Sequence, residues 1–277
     1  MVHFSSSHED IRNCFLQHDI PIGLPGFYDH PNFIEIENSN DFFLANYARF
    51  VSTLSFDENY IAKARNKIPI IVNELYAQMA NDNHIGRCID ISAVLSRILE
   101  KEELWNFVFK GSLSIEFPEQ SNISNKYFWS VDRGDFAARH AWVYAPPYNV
   151  IDLSVRQQPY FENEIDFLPN YVIAEDMVIT EATTHEIISP EVIDHLISCG
   201  IPLANQLEHV NNETPAFIEL FPSKSISIHG VSFKYIPIAG LANDCPLEGI
   251  ANINFQEKTP LQVYNEDIRP QIAHFDI

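Results

Sequence analysis

The hydrophobic period changes near residue 104, and that change constrains the fold more than any other feature of the chain. Between Cys88 and Lys101 the apolar residues Ile91, Val94, Leu95, Ile98 and Leu99 recur at helical spacing, which predicts a helix with one buried face. From Phe107 the period drops to that of a strand: Phe107, Phe109, Gly111, Leu113, Ile115 and Phe117 alternate with other residues. Two more strand-like stretches follow, at 136–145 and 149–155. The expected fold class is therefore α+β.

The flanks are read the same way. A short helix is expected at about 8–17, followed by loop through the Pro- and Gly-containing stretch 21–26. Residues 40–80 look helical. Asp57 is a candidate cap, and Ile71, Leu75, Tyr76 and Met79 form a stripe with Pro69 in its first turn. Ser189-Pro190 is a helix start, Val192, Ile193, Leu196 and Ile197 its apolar face, and Gly200 its stop. Residues 215–264 read as short strands with Pro and Gly turns. Three regions result: a mostly helical one at 1–80, a core at 81–160, and a C-terminal extension at 161–277. The extension either completes the core or forms a small β unit of its own.

Charge narrows the partners. The chain has 17 Lys and Arg against 38 Asp and Glu, a formal charge of −21. Nucleic-acid binding rests on cations that displace counterions from phosphates, and the basic residues here are scattered. Docking on an anionic membrane face is disfavoured for the same reason. No apolar run approaches the roughly 20 residues of a spanning helix. The start of the chain lacks the basic and apolar regions of a signal peptide, so the expected location is cytoplasmic, with delivery elsewhere as an effector the alternative. On that expectation the Asn-x-Ser/Thr triplets at Asn122 and Asn212 carry no meaning. Cys14, Cys88, Cys199 and Cys245 are widely spaced, and free thiols are the default for such a chain.

Three residues carry the chemistry: Cys88, His140 and Asp152. Cys88 opens the helix after a Gly-containing loop. Unpaired N–H groups and the macrodipole at a helix N-terminus favour a thiolate and can hold an oxyanion. A hairpin turn centred on Pro146 would set His140 directly opposite Asp152, with Cβ atoms about 5 Å apart. Trp142 would then face Val150, and Ala138 would face Ser154. A thiolate to attack an acyl carbon, an imidazole to move protons and a carboxylate to orient the imidazole make a complete nucleophilic set. Taken singly, each residue has a plainer reading: a small core thiol, a satisfied strand histidine, a turn aspartate. Their order on helix, strand and strand favours the joint reading.

Residues 86–95 (Gly-Arg-Cys-Ile-Asp-Ile-Ser-Ala-Val-Leu), His140-Ala141-Trp142-Val143 and Val150-Ile151-Asp152 together resemble the core of the transglutaminase-like branch of the papain-fold cysteine enzymes. Arylamine acetyltransferases share the Cys, His, Asp order. The resemblance covers roughly residues 84–156. It implies a nucleophilic Cys88, a general base His140 and an orienting Asp152, on a helix packed against an antiparallel sheet. It also implies a side-chain oxyanion donor upstream, for which Gln78, Asn81 and Asn83 are candidates. The chain departs from the family in lacking the glycine often found after the helix, and in a His–Asp interval short enough to need a tight hairpin. Residues 118–135 read as an inserted loop whose Trp129 and Asp132-Arg133-Gly134-Asp135 could line a groove, or as a plain solvated connection, the favoured reading.

Other chemistry finds little support. His84 and Cys88 have helical metal-ligand spacing but no second pair, His185 stands alone, and HExxH is absent. With only 9 glycines there is no phosphate loop or dinucleotide fingerprint. No metal and no cofactor are expected. The functional expectation is a cysteine-dependent amide hydrolase, of peptidase or deamidase type, acting on a peptide or protein amide through a thioester. Hydrolysis is favoured because water needs no second binding site. One alternative is a transglutaminase or acyltransferase with an amine acceptor. The other is a non-catalytic module whose acidic surface binds a basic partner.

Overall fold

The computed structural model describes residues 7–40, 42–80, 87–133, 135–136, 138–243 and 245–275. The chain opens with three helices, α1 (His8–Gln17), α2 (Pro31–Glu37) and α3 (Phe43–Thr53). Ser7 and Asp10 form a capping box at the start of α1, each satisfying an amide the helix leaves free. A long helix, α4 (Glu58–Ala80), follows, and the Asp57 side chain accepts from the amide of Tyr60 at its start. Pro69 lies inside α4 rather than in its first turn. The missing N–H removes one hydrogen bond, and buried Ile68, Ile71, Val72 and Leu75 hold the helix together across it. Helix α5 (Cys88–Lys101) has the span its sequence period gives.

The strands begin with β1 (Phe107–Glu116), β2 (Lys126–Phe128), β3 (Val131–Asp132), β4 (Asp135–Phe136), β5 (His140–Ala145) and β6 (Tyr148–Asp152). A short helix α6 (Glu162–Ile165) leads to β7 (Val172–Ala174) and β8 (Val178–Ile179). Helices α7 (Thr184–Ile187), α8 (Pro190–Ser198), α9 (Gln206–Val210) and α10 (Thr214–Leu220) precede β9 (Lys224–Ile228) and β10 (Val231–Leu241). Gly200 closes α8 at φ 84°, a left-handed conformation suited to glycine. The main sheet runs β7-β6-β5-β1-β10-β9-β8, with β2 also paired to β1, and its pairings are antiparallel. β5 and β2 take successive halves of one side of β1, and β10 takes the other side. β3 and β4 form a separate ribbon.

The protein is thus a mixed α+β structure with an antiparallel sheet. Helices α4 and α5 cover the face that carries Val108, Ala141, Val143, Ala145, Ile151 and Leu153. The opposite face carries Phe107, Phe109, Trp142, Val150, Phe233 and Tyr235, packed with α1 to α3 and α10.

The C-terminal extension departs from its expected pattern. Residues 215–264 hold one strand of 11 residues, β10, rather than only short ones. That strand lies between β1 and β9. Residues 260–275 are helical: α11 (Pro260–Gln262), a π-helical segment at Val263–Ile268, α12 (Arg269–Ile272) and a final 3₁₀ turn. Pro270 has no N–H to give a carbonyl four residues back, which suits the wider π register just before it.

Candidate active site

The turn joining β5 to β6 is the two-residue Pro146-Pro147, whose peptide bond is cis. Val143 pairs with Ile151, and the register shifts by one residue between Val143 and Ala145. Continued from Val143 and Ile151, this register sets Asp152 opposite Trp142, with His140 two residues further along. The direct His140–Asp152 pairing anticipated from the turn is therefore replaced by a diagonal one. A two-residue shift keeps both side chains on the same face, and diagonal neighbours remain within reach of long side chains.

The contact is made. His140 Nε2 lies 2.7 Å from Asp152 Oδ2, and neither residue has any exposed surface. The carboxylate is held on both oxygens. Tyr235 donates its hydroxyl to Oδ2 at 3.0 Å, while the Ser154 amide and hydroxyl donate to Oδ1 at 2.9 and 3.0 Å. The imidazole lies among aromatic rings, with Phe128 and Trp142 stacked near it and Tyr235 tilted against it. Burial pulls the imidazole pKa down, but the charge and hydrogen bond of Asp152, together with Cys88, outweigh it and raise the value to about 10. Burial and then the Asp152 charge push the Tyr235 phenol well above its ordinary range, so it stays a donor.

Cys88 stands at the N-terminus of α5, next to the start of β5. Its thiol donates to the Arg139 carbonyl at 3.4 Å and also interacts with the His140 ring. Among the described residues, Nδ1 is the ring nitrogen without a hydrogen-bond partner. The first intrahelical bond runs from the Ile91 amide to the Arg87 carbonyl. The amides of Cys88, Ile89 and Asp90 therefore have no acceptor within the helix.

Two backbone features set this geometry. Gly111 of β1 pairs with His140 on one side and Pro237 of β10 on the other. A Cβ there would fall 1.9 Å from the Ile236 carbonyl oxygen, so only glycine lets β10 approach so closely. Ala138 has φ 40°, rare for a residue with a side chain, and turns the chain into β5 two residues before His140.

The structure thus brings Cys88, His140 and Asp152 together. Cys88 is only 3% exposed, so a substrate would reach its sulfur only after side chains rearrange. Gln78 spends its amide on Glu74 and Asp267. Asn81, Asn83 and His84 lie outside the described residues. Trp129 stacks on Tyr127 and donates to the His185 carbonyl, and Asp132 pairs with Arg139. Among the described residues no cluster of His, Cys, Asp and Glu suits a metal ion, and no helix is long and apolar enough to cross a membrane.

Tyr235 and Ser154 were not anticipated as partners of Asp152. Ser154 could have been found from its place two residues after an aspartate, a spacing that favours local side-chain-to-backbone bonds. Tyr235 offered no such signal, because β1 and β10 are far apart in sequence. Comparisons of the chain with models of protein families, with curated proteins and with solved structures give no match.

Proposed function

We propose that the protein is a cysteine-dependent amide hydrolase with a papain- or transglutaminase-like core, acting through Cys88, His140 and Asp152. The observation that carries this reading is the division of labour on one imidazole. Nε2 is fixed by a buried carboxylate, and Nδ1 is left unpartnered in a ring that interacts with a thiol at a helix N-terminus.

In the proposed reaction the imidazole, cationic below its raised pKa, already holds the thiol proton on Nδ1, and the thiolate attacks the amide carbonyl carbon. The amides at the start of α5 that have no acceptor within the helix receive the developing oxyanion. The C–N bond breaks as the imidazolium returns its proton to the leaving nitrogen, which leaves a thioester on Cys88. Water then attacks, giving a proton to Nδ1. The carboxylic acid departs and the thiol is restored. Asp152 holds the ring orientation and favours its cation throughout. An amine in place of water would give acyl transfer.

Burial of Cys88 and His140 favours a second reading, a non-catalytic module that keeps the core as scaffold. Labelling with iodoacetamide at about pH 6 separates the two, because an ordinary thiol is almost fully protonated there. By accessibility alone Cys199 should react first: it is exposed, Cys14 and Cys245 are partly covered, and Cys88 is buried. The hydrolase reading expects Cys88 to be alkylated fastest despite its burial, and Asp152→Asn to slow that reaction. Labelling in order of exposure, with Cys88 last, would leave the scaffold reading. Cys88→Ala should remove the fast adduct with little change in thermal stability.

A further inference from the structure

On the face of the sheet opposite α5 lies a cavity of about 210 Å³, lined chiefly by Phe109, Trp142, Tyr144, Leu220, Phe221 and Lys224. At about 30 Å³ per water, it has room for roughly seven, which suits a ligand of the size of octanoate or 3-phenylpropionate. Its walls are mostly aromatic and aliphatic, as small-molecule sites usually are.

Lys224 is the unusual member. It lies in β9 opposite Tyr235, and its Nζ donates to Asn149 Oδ1 at 2.6 Å. No carboxylate among the described residues pairs with it, although the chain carries 38 acidic residues. An ammonium has three N–H donors, and the amide of Asn149 takes one. Burial lowers the Lys224 pKa, the mark of a cation short of compensating charge. Tyr144, which also lines the cavity, is pushed up to about 12 by burial and so keeps its hydroxyl proton. Apolar surface continues outward from the cavity: Ile179 lines it and is 66% exposed, and its neighbour Val178 is 68% exposed.

We propose that this cavity is a binding site for a small carboxylate with an apolar body, its carboxylate on Lys224 and its body against Phe109, Trp142 and Leu220. Desolvated walls strengthen the attraction between ammonium and carboxylate, and the apolar body gains by leaving water. The inference stands on the cavity and its cation, independently of the hydrolase reading.

Isothermal titration calorimetry of the full chain with octanoate, and separately with octanol and octylamine, tests it. Octanoate should bind saturably at one site and more tightly than octanol, and octylamine should bind weakest. Lys224→Met should weaken octanoate by about tenfold, the cost of a charge-assisted hydrogen bond, and leave octanol within about twofold. Leu220→Trp should fill the cavity and abolish binding of both. Circular dichroism melts of each variant confirm folding, and Ser198→Ala, exposed and outside the cavity, serves as a folded control that should bind normally. No saturable octanoate binding to the wild-type chain would overturn the proposal. So would a folded Lys224→Met that binds octanoate as the wild type does, or a folded Leu220→Trp that still binds.

Discussion

His140 shows how one buried residue can make stability depend on pH. Its imidazole would be disfavoured as a cation by burial alone, yet Asp152 and Cys88 raise its pKa from 6.5 to about 10. A histidine whose pKa is raised on folding contributes stability that is fully present below the unfolded value. That contribution is lost as pH rises through the folded value. Urea unfolding should therefore show stability declining between about pH 6.5 and 10, and Asp152→Asn should flatten the decline. Equal slopes in the two proteins would mean that the carboxylate does not set the imidazole charge. At this scale the sequence was most informative about types and order. A cysteine at a helix start and a histidine and an aspartate on consecutive strands were legible from local pattern. The residues that hold Asp152 were legible only in part: Ser154 is local, whereas Tyr235 comes from a distant strand and no short-range pattern encodes that pairing.

The secondary-structure elements were readable where one period ran without interruption. Helix α5 and strand β1 match the switch from helical to alternating spacing, because each buries one continuous apolar face. The reading was less accurate where backbone chemistry competes with period. Pro69 looks like a helix start, yet buried apolar neighbours carry α4 through it. The hairpin register differs by two: the turn is centred between Pro146 and Pro147 rather than on Pro146, which moves it by one, and the bulge beside it absorbs a further residue. In the sequence Pro237 and Gly240 read as breaks that divide the β10 stretch into short strands. In the structure both tolerate their places: β1 shifts register beside Pro237, and Gly240 makes room for the Phe107 ring. Gly111 is the sharpest element-scale test. Gly111→Ala should push β10 away from β1 and destabilise the fold by roughly 2–3 kcal/mol, as overpacking does, with a lower urea midpoint as the measurement. An unchanged midpoint would mean that the strands can part at no cost.

Across the whole molecule, charge is the dominant surface property. A formal charge of −21 makes the acidic groups repel one another, and the repulsion opposes the compact state. Salt shortens the Debye length from about 20 Å at 20 mM to about 6 Å at 300 mM. The thermal midpoint should therefore rise over that range, and a fall would show that ion pairs such as Arg65–Glu175 and Lys258–Asp267 outweigh the repulsion. The place of β10 has a consequence for synthesis. As the chain leaves the ribosome, β1, β5 and β6 emerge long before the strand that flanks β1 on its other side and carries Tyr235. Until Val231–Leu241 is made, β1 keeps an open edge and Asp152 lacks one of its donors. The newborn protein must therefore wait, sheltered or kept apart by its own charge, until β10 is made before the buried carboxylate has its full set of donors.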